Sequence, residues 1–370
     1  MSSETEGRGP TAATAAAKST SRPRRPALAL VAALVGVGAF APVARADGPT
    51  NPVATSYLAH VTRVPSGLEP RIVDGDLRIW LRVAPSESVV VLDYRGAPYL
   101  RFSRSGVEVN RSSAMYYLNQ TPPEAPPSNL GPSPPPRWTP LGSGHEYRWD
   151  DGRLNSLARI ALAPGTRYVG RWTIPIQLDG RPDTISGSLI YAPSPSIVWF
   201  WPIFVLLACV LAARRLGRRE LDRRIARLLC LTALVAIGIA GVGQELHGRP
   251  TVAVGQLIAL GIVLAFVAWG LYRVLFASTG YFYFFVITFA ALGEGADLVP
   301  TLTHGYVLVA VPAFVVRAAT ILGLGCGGGL LLLLQRLGAR PRRQPAGAGR
   351  APPTGIGGED DRQARLAPAE

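Results

Sequence analysis

Residues 312–337 read PAFVVRAATILGLGCGGGLLLLLQRL. Between Pro312 and Leu334 the one charged side chain is Arg317. A segment this long and this apolar reads as an α-helix crossing a hydrocarbon layer. Pro312 suits its first turn, where the missing N–H is not needed. Four further apolar spans precede it: Ile197–Ala213, Leu228–Gly243, Val252–Leu271 and a fourth centred on Tyr281–Leu292, extending over 279–298. Residues 196–335 are therefore expected to form a bundle of five transmembrane helices (197–213, 228–243, 252–271, 279–298 and 312–335). Trp199 and Trp201 sit at the start of the first span, where an aromatic belt is expected.

Arginine orients these spans. Lys18 is the sole lysine, so the net charge of +14 is almost entirely guanidinium. The segment 214–227 carries seven arginines against Glu220 and Asp222. Arg273 follows the third span, and Arg336, Arg340, Arg342 and Arg343 follow the fifth. The alternate segments, around 244–251 and 293–311, hold only Arg249. By the positive-inside rule the arginine-bearing segments and the C-terminus face the cytoplasm, and residues 47–195 lie outside. The arginines flank apolar spans and form no basic, aromatic-laced stripe on a folded domain, so nucleic acid is not an expected partner. Membrane lipids are.

Composition agrees. With 48% hydrophobic and 17% charged residues the chain is no disordered polymer. The apolar residues gather in 27–41 and 197–335 and leave a polar stretch between them. Residues 1–46 read as a signal peptide: Arg22, Arg24 and Arg25, the apolar run Ala27–Ala41, then Ala44-Arg45-Ala46 as a cleavage signal. The same segment left uncleaved would be an anchor, and either form exports residues 47–195. The tail 336–370, rich in Pro, Gly and Ala beyond residue 340, reads as a disordered cytoplasmic tail.

Residues 47–195 read as an all-β, sandwich-like extracytoplasmic domain. Leu77–Val83 alternates apolar and polar side chains, and Val89–Leu92 is a continuous apolar run, as in a strand buried on both faces. Tyr99–Phe102 and Val107–Val109 flank a turn at Ser105-Gly106. Tyr168–Leu178 and Thr184–Tyr191 flank Asp179-Gly180, and Asp74-Gly75 marks another turn. The proline-dense segment 121–140 cannot supply ladder donors and reads as an extended surface loop. The domain has no cysteine. Cys209, Cys230 and Cys326 all fall in the apolar spans as small filler.

Catalytic signatures are absent from the sequence: there is no GxSxG, no phosphate-binding glycine loop and no HExxH. Asp150-Asp151 precedes a glycine and reads as a turn. No catalytic residue is assigned. The candidate site is instead a polar cluster at the outer membrane face: Glu245 and His247 after the second span, Glu294, Asp297 and His304 after the fourth, and Arg317 inside the fifth. An intramembrane arginine needs a partner, and Glu294 or Asp297 is the expected one. A divalent metal on His247, His304 and Asp297 is the alternative use of the cluster. Gly323/Gly327 and Gly325/Gly329 are small-xxx-small pairs, suited to packing within the bundle or to a homo-oligomer through Gly323 and Gly327.

Several stretches carry a family resemblance: Gly96–Phe102, Val107–Ser113, Tyr117-Leu118-Asn119, Pro135–Trp138, Tyr147–Asp150, and Ala296-Asp297-Leu298 with His304, Pro312 and Arg317. Over roughly 50–335 the chain resembles a group of uncharacterised actinobacterial membrane proteins that pair an exported β-domain with a C-terminal helix bundle. The resemblance implies that architecture and a place in the cell envelope, and no activity. Where that group carries a histidine-rich stretch this chain has Asp150-Asp151-Gly152-Arg153, so the resemblance lends the β-domain no metal role. The expected function is non-enzymatic: the β-domain binds an envelope protein partner or ligand and the bundle anchors it. The alternative is a transport or metal-handling role for the bundle.

Overall fold

The computed structural model describes residues 52–337 apart from 132–133, 159–162, 164, 249–250 and 277–279. The expected export signal, Arg249 and the tail beyond Leu337 lie outside the described residues.

The first part is sheet. Its strands are β1 (Ala54–Thr55), β2 (Tyr57–Arg63), β3 (Leu68–Val73), β4 (Arg78–Val83), β5 (Val89–Leu92), β6 (Pro98–Ser103) and β7 (Gly106–Asn110). A short helix α1 (Ala114–Leu118) and the proline-rich loop lead to β8 (Trp138–Gly142), β9 (Glu146–Asp150), β10 (Tyr168–Leu178) and β11 (Arg181–Tyr191). Seven strands form one antiparallel sheet in the order β2-β11-β10-β5-β6-β7-β8, and β3-β4-β9 form a second. Both sheets turn their apolar faces to one core, where Ile79 and Leu81 of the small sheet meet Tyr99, Leu100, Phe102, Ile174, Ile176, Ile185 and Leu189 of the large one. This is the expected sandwich.

Local chemistry sets its turns. Leu178 pairs with Arg181, so Asp179 and Gly180 alone close that hairpin, with φ of 48° and 76°. Two positive φ values make the turn whose twist matches the strands, and Asp-Gly is the pair that tolerates it. In the β6–β7 hairpin Ser103 pairs with Gly106, so the turn is Arg104-Ser105, one residue earlier than the sequence suggested. Gly106 instead opens β7, where an added Cβ would stand 2.1 Å from the Gly142 carbonyl oxygen of β8. Along β5 only Val89 and Val91 are fully buried; Val90 and Leu92 are half-buried on the other face. Pro140 lies in β8, the edge strand of the large sheet, where a missing N–H costs nothing.

The second part is helical: α2 (Trp201–Arg215, after a 3-10 turn at Ile197–Phe200), α3 (Arg219–Glu245), α4 (Val254–Phe276), α5 (Tyr281–Asp297), α6 (Pro300–Thr303) and α7 (Ala313–Leu337), with a two-residue strand β12 (Tyr306–Val307) before α7. Five of the helical segments are long and apolar enough to cross a membrane. The segment 214–227, read as a loop, is mostly helix. Only Leu216–Arg218 separates α2 from α3, and four arginines ride on the first turns of α3. Arg, Leu and Ala favour helix, and Glu220 and Asp222 stabilise its positive end.

The helix α7 is the centre of the bundle, packed on α2, α3 and α5. Its glycines make that possible. A Cβ on Gly323 would lie 3.2 Å from the Ala291 carbonyl oxygen of α5, and one on Gly327 would lie 2.8 Å from Leu292. On another face, Cβ atoms at Gly325 and Gly329 would meet Leu206 and Val210 of α2 at 3.4 and 3.1 Å. Gly323 and Gly327 thus approach α5 of the same chain, as packing within the bundle requires. Gly323→Leu is expected to push α5 away and to cost about 1–3 kcal/mol by overpacking. Thermal unfolding of the full chain in detergent measures this, with the exposed Phe314→Leu as a control that leaves the midpoint unchanged.

Candidate functional site at the joint between sheet and bundle

The polar groups singled out in the sequence converge on one end of the bundle, where the β-region is fastened. Arg317 stands on the second turn of α7. Its Nε donates to the Thr301 carbonyl oxygen at 2.9 Å, and one terminal nitrogen donates to the carbonyl oxygens of His304 and Gly305, each at 3.2 Å. These carbonyls lie at and just beyond the C-terminal end of α6, where helix geometry leaves carbonyls without partners. A guanidinium with five donors in a rigid fork can serve several at once. The indole of Trp199 lies 5.9 Å from its carbon, on the side where the chain enters α2.

The partner is thus not the one the sequence suggested. Arg317 binds backbone carbonyls, and neither Glu294 nor Asp297 is among these three acceptors. Glu294 accepts from Gln244 Nε2 at 3.3 Å, tying α5 to α3. Asp297 is exposed at the end of α5. His304 turns Nδ1 toward the Thr303 hydroxyl and the Pro300 carbonyl, 3.0 Å from each. The His247 carbonyl accepts from Gln256 Nε2, and Glu245 ends α3. Among the described residues no group of three or more His, Cys, Asp or Glu side chains lies together in a way that could hold a metal.

What the sequence reading missed is a strand pair. β1 and β12 run antiparallel, with Ala54 opposite Val307 and Thr55 opposite Tyr306, and Leu308 N–H donates to the Val53 carbonyl at 2.8 Å. The ladder continues onto the bundle through Ala310 N–H, which donates to the Gly243 carbonyl at the end of α3. Val53, Val307, Val309 and Val311 pack over Ala240, Leu298 and Val316. Gly305 sits so close to the exit of β11 that a Cβ there would lie 2.4 Å from that of Ala192. The run Tyr306-Val307-Leu308-Val309, rich in β-branched and aromatic residues, was the available strand signal.

A buried acid braces the joint from the sheet side. Asp76 is only 6% exposed, and the Thr55 hydroxyl of β1 donates to its Oδ1 at 3.3 Å. Burial pushes its carboxyl up from 3.8 to about 6, against the smaller opposing effect of the Thr55 bond. Other acids are staples. Buried Asp151 accepts from Trp149 Nε1 and from Arg153, and half-exposed Asp150 accepts from Arg78, so the paired acids hold a turn as expected. Asp93 accepts from Ser113 and from the Ala97 N–H.

Comparison of the chain with protein-family models, curated proteins and solved structures finds no match.

Two outcomes are expected from the joint. Arg317→Leu strips three carbonyls of their donor and is expected to cost about 1–3 kcal/mol in a thermal melt, with Arg317→Lys recovering part of it. For Asp76 the sign is set by its raised value. In the unfolded chain the carboxyl ionises near 3.8 while the folded chain keeps it protonated to about 6, so stability falls as pH rises through that window and then levels. Asp76→Asn is expected to flatten this fall, read as the melting midpoint between pH 4 and pH 7.

Proposed function

We propose that this protein is a multi-pass envelope membrane protein that holds its β-region at the outer surface in a fixed orientation, where it binds a protein partner or ligand. The observation that carries this is the separation of the joint from the arginines. Sheet, β12 and the start of α7 share one end of the bundle. Arg214, Arg219, Arg223, Arg227 and Arg336 gather at the other, where Arg336 donates to the Arg214 carbonyl. Arginine-rich ends of transmembrane bundles face the cytoplasm, which leaves the β-region outside. Apolar side chains on α2 and α4, such as Phe204, Ile258 and Leu275, are exposed and call for lipid around them.

A tether alone needs only a linker. Here a strand pair, a three-carbonyl arginine clamp and a valine cluster fix the angle of the sandwich. That suits a domain presenting a defined face, such as the small sheet on which Trp80 lies between Arg71 and Arg82, with guanidinium carbons 5.3 and 4.9 Å from its ring.

Sidedness is the test. A membrane-impermeant maleimide applied to intact cells is expected to label Ser143→Cys, in the β8–β9 turn, and to spare Leu216→Cys, between α2 and α3, until the membrane is opened. The reverse pattern would overturn the reading.

A further inference from the structure

At the arginine end, a cleft of about 220 Å³ opens between α3, α5 and α7. Arg219, Arg223 and Arg227 of α3, Tyr281 of α5 and Arg336 of α7 line it, and Asp222 forms part of its wall. Asp222 is 1% exposed, and both of its carboxylate oxygens are buried without a hydrogen-bond donor. Its nearest cation, Arg336, stays 3.5 Å away and gives a hydrogen bond to the Arg214 carbonyl instead. A carboxylate kept from water and from donors is an unsatisfied group, and it faces a cavity large enough to supply what it lacks.

The surroundings favour an anion. Of the four guanidinium groups on the cleft, Arg223 is paired with Glu220 at 2.7 Å and Arg336 stands 3.5 Å from Asp222, which leaves Arg219 and Arg227 as the positive excess. Two helices begin beside the cleft, α3 at Arg219 and α5 at Tyr281, and neither has a side-chain cap on its first N–H groups. Uncapped helix N-termini attract negative charge through those donors and the helix dipole. A simple anion would satisfy the arginines and the helix ends and would be repelled by Asp222. An occupant that meets every group is negatively charged and also carries hydrogen-bond donors of its own.

We propose that this cleft binds a phosphate ester bearing hydroxyl donors, its phosphate on the arginines and helix N-termini and its hydroxyls on Asp222. The chemistry is that of a phosphoglycerol lipid headgroup or of its free soluble counterpart. The position favours the lipid. Tyr281, Phe282 and Phe285 at the start of α5 are 49%, 47% and 42% exposed, an aromatic flank on which acyl chains can lie beside a headgroup in the cleft. Basic pockets between membrane helices are known to take anionic headgroups.

The test uses the full chain in detergent, with native mass spectrometry counting bound lipid. Phosphatidylglycerol is expected to bind at least tenfold more tightly than phosphatidylmethanol, which has the same charge but no hydroxyl, and than phosphatidylcholine, which has no net charge. Asp222→Leu is expected to erase the preference for phosphatidylglycerol over phosphatidylmethanol. Arg219→Gln with Arg227→Gln, both on exposed positions, should weaken both anionic lipids tenfold or more without shifting the melting midpoint of the lipid-free protein. Displacement by glycerol 3-phosphate at equal concentration would assign the site to the soluble ester; failure to displace assigns it to the lipid. Equal binding of all three lipids, or unchanged binding in the double arginine variant, would overturn the proposal.

Discussion

Everything at the upper end of this molecule depends on one guanidinium meeting three carbonyls. Arg317 cannot shed its charge at any usable pH, so a place inside an apolar helix is tenable only if its donors are used. The end of α6 supplies acceptors that helix geometry leaves free. Each side meets the other's need, and the result is a fixed turn from which β12 departs toward the sheet. With that turn in place, Val307 can pair with Ala54 and the valines on either side can close over α3 and α7.

The same logic runs through the bundle. Small residues let helices approach, and polar residues appear where a backbone group would otherwise go without a partner. The Thr301 and Thr320 hydroxyl oxygens lie 3.2 Å apart, with the Leu298 carbonyl in reach of the first and the Val316 carbonyl in reach of the second. Gly323 and Gly327 bring α7 against α5, and Gly325 and Gly329 bring it against α2. α7 thus serves as a core helix, whereas α4 fully buries only Gly270 and Val274 and lays Val263, Phe266, Val267 and Leu271 part-buried against the core.

Much of this was legible beforehand, and the reasons are physical. Long apolar runs and alternating strands are local signals, so the five long helices, the Asp179-Gly180 hairpin and the sandwich follow from residues close in sequence. The extension of α3 back to Arg219 is obscured in the sequence because a dense run of charge also marks a loop, although Arg, Glu, Leu and Ala are good helix formers. The candidate site was legible only in its location. The sequence points to Arg317, Glu294, Asp297 and His304 at one face, but charge complementarity suggested an acid for Arg317 where backbone carbonyls were nearer. The β1–β12 pair was hidden because its strands have two residues each and almost the whole described chain lies between them.

That separation has a consequence for how the protein is made. Ala54 and Thr55 emerge from the ribosome among the first residues of the β-region, and Tyr306 and Val307 follow only after four of the five long helices have been synthesised. The sandwich can close its own core while β1 waits with an open edge, because all of that core lies between Ala59 and Leu189. The clamp that holds Tyr306 in place comes later still, on α7. Seating the sheet on its support therefore waits for α7, and a ribosome stalled before Arg317 would leave a folded sandwich hanging from an unfinished bundle by a loose first strand.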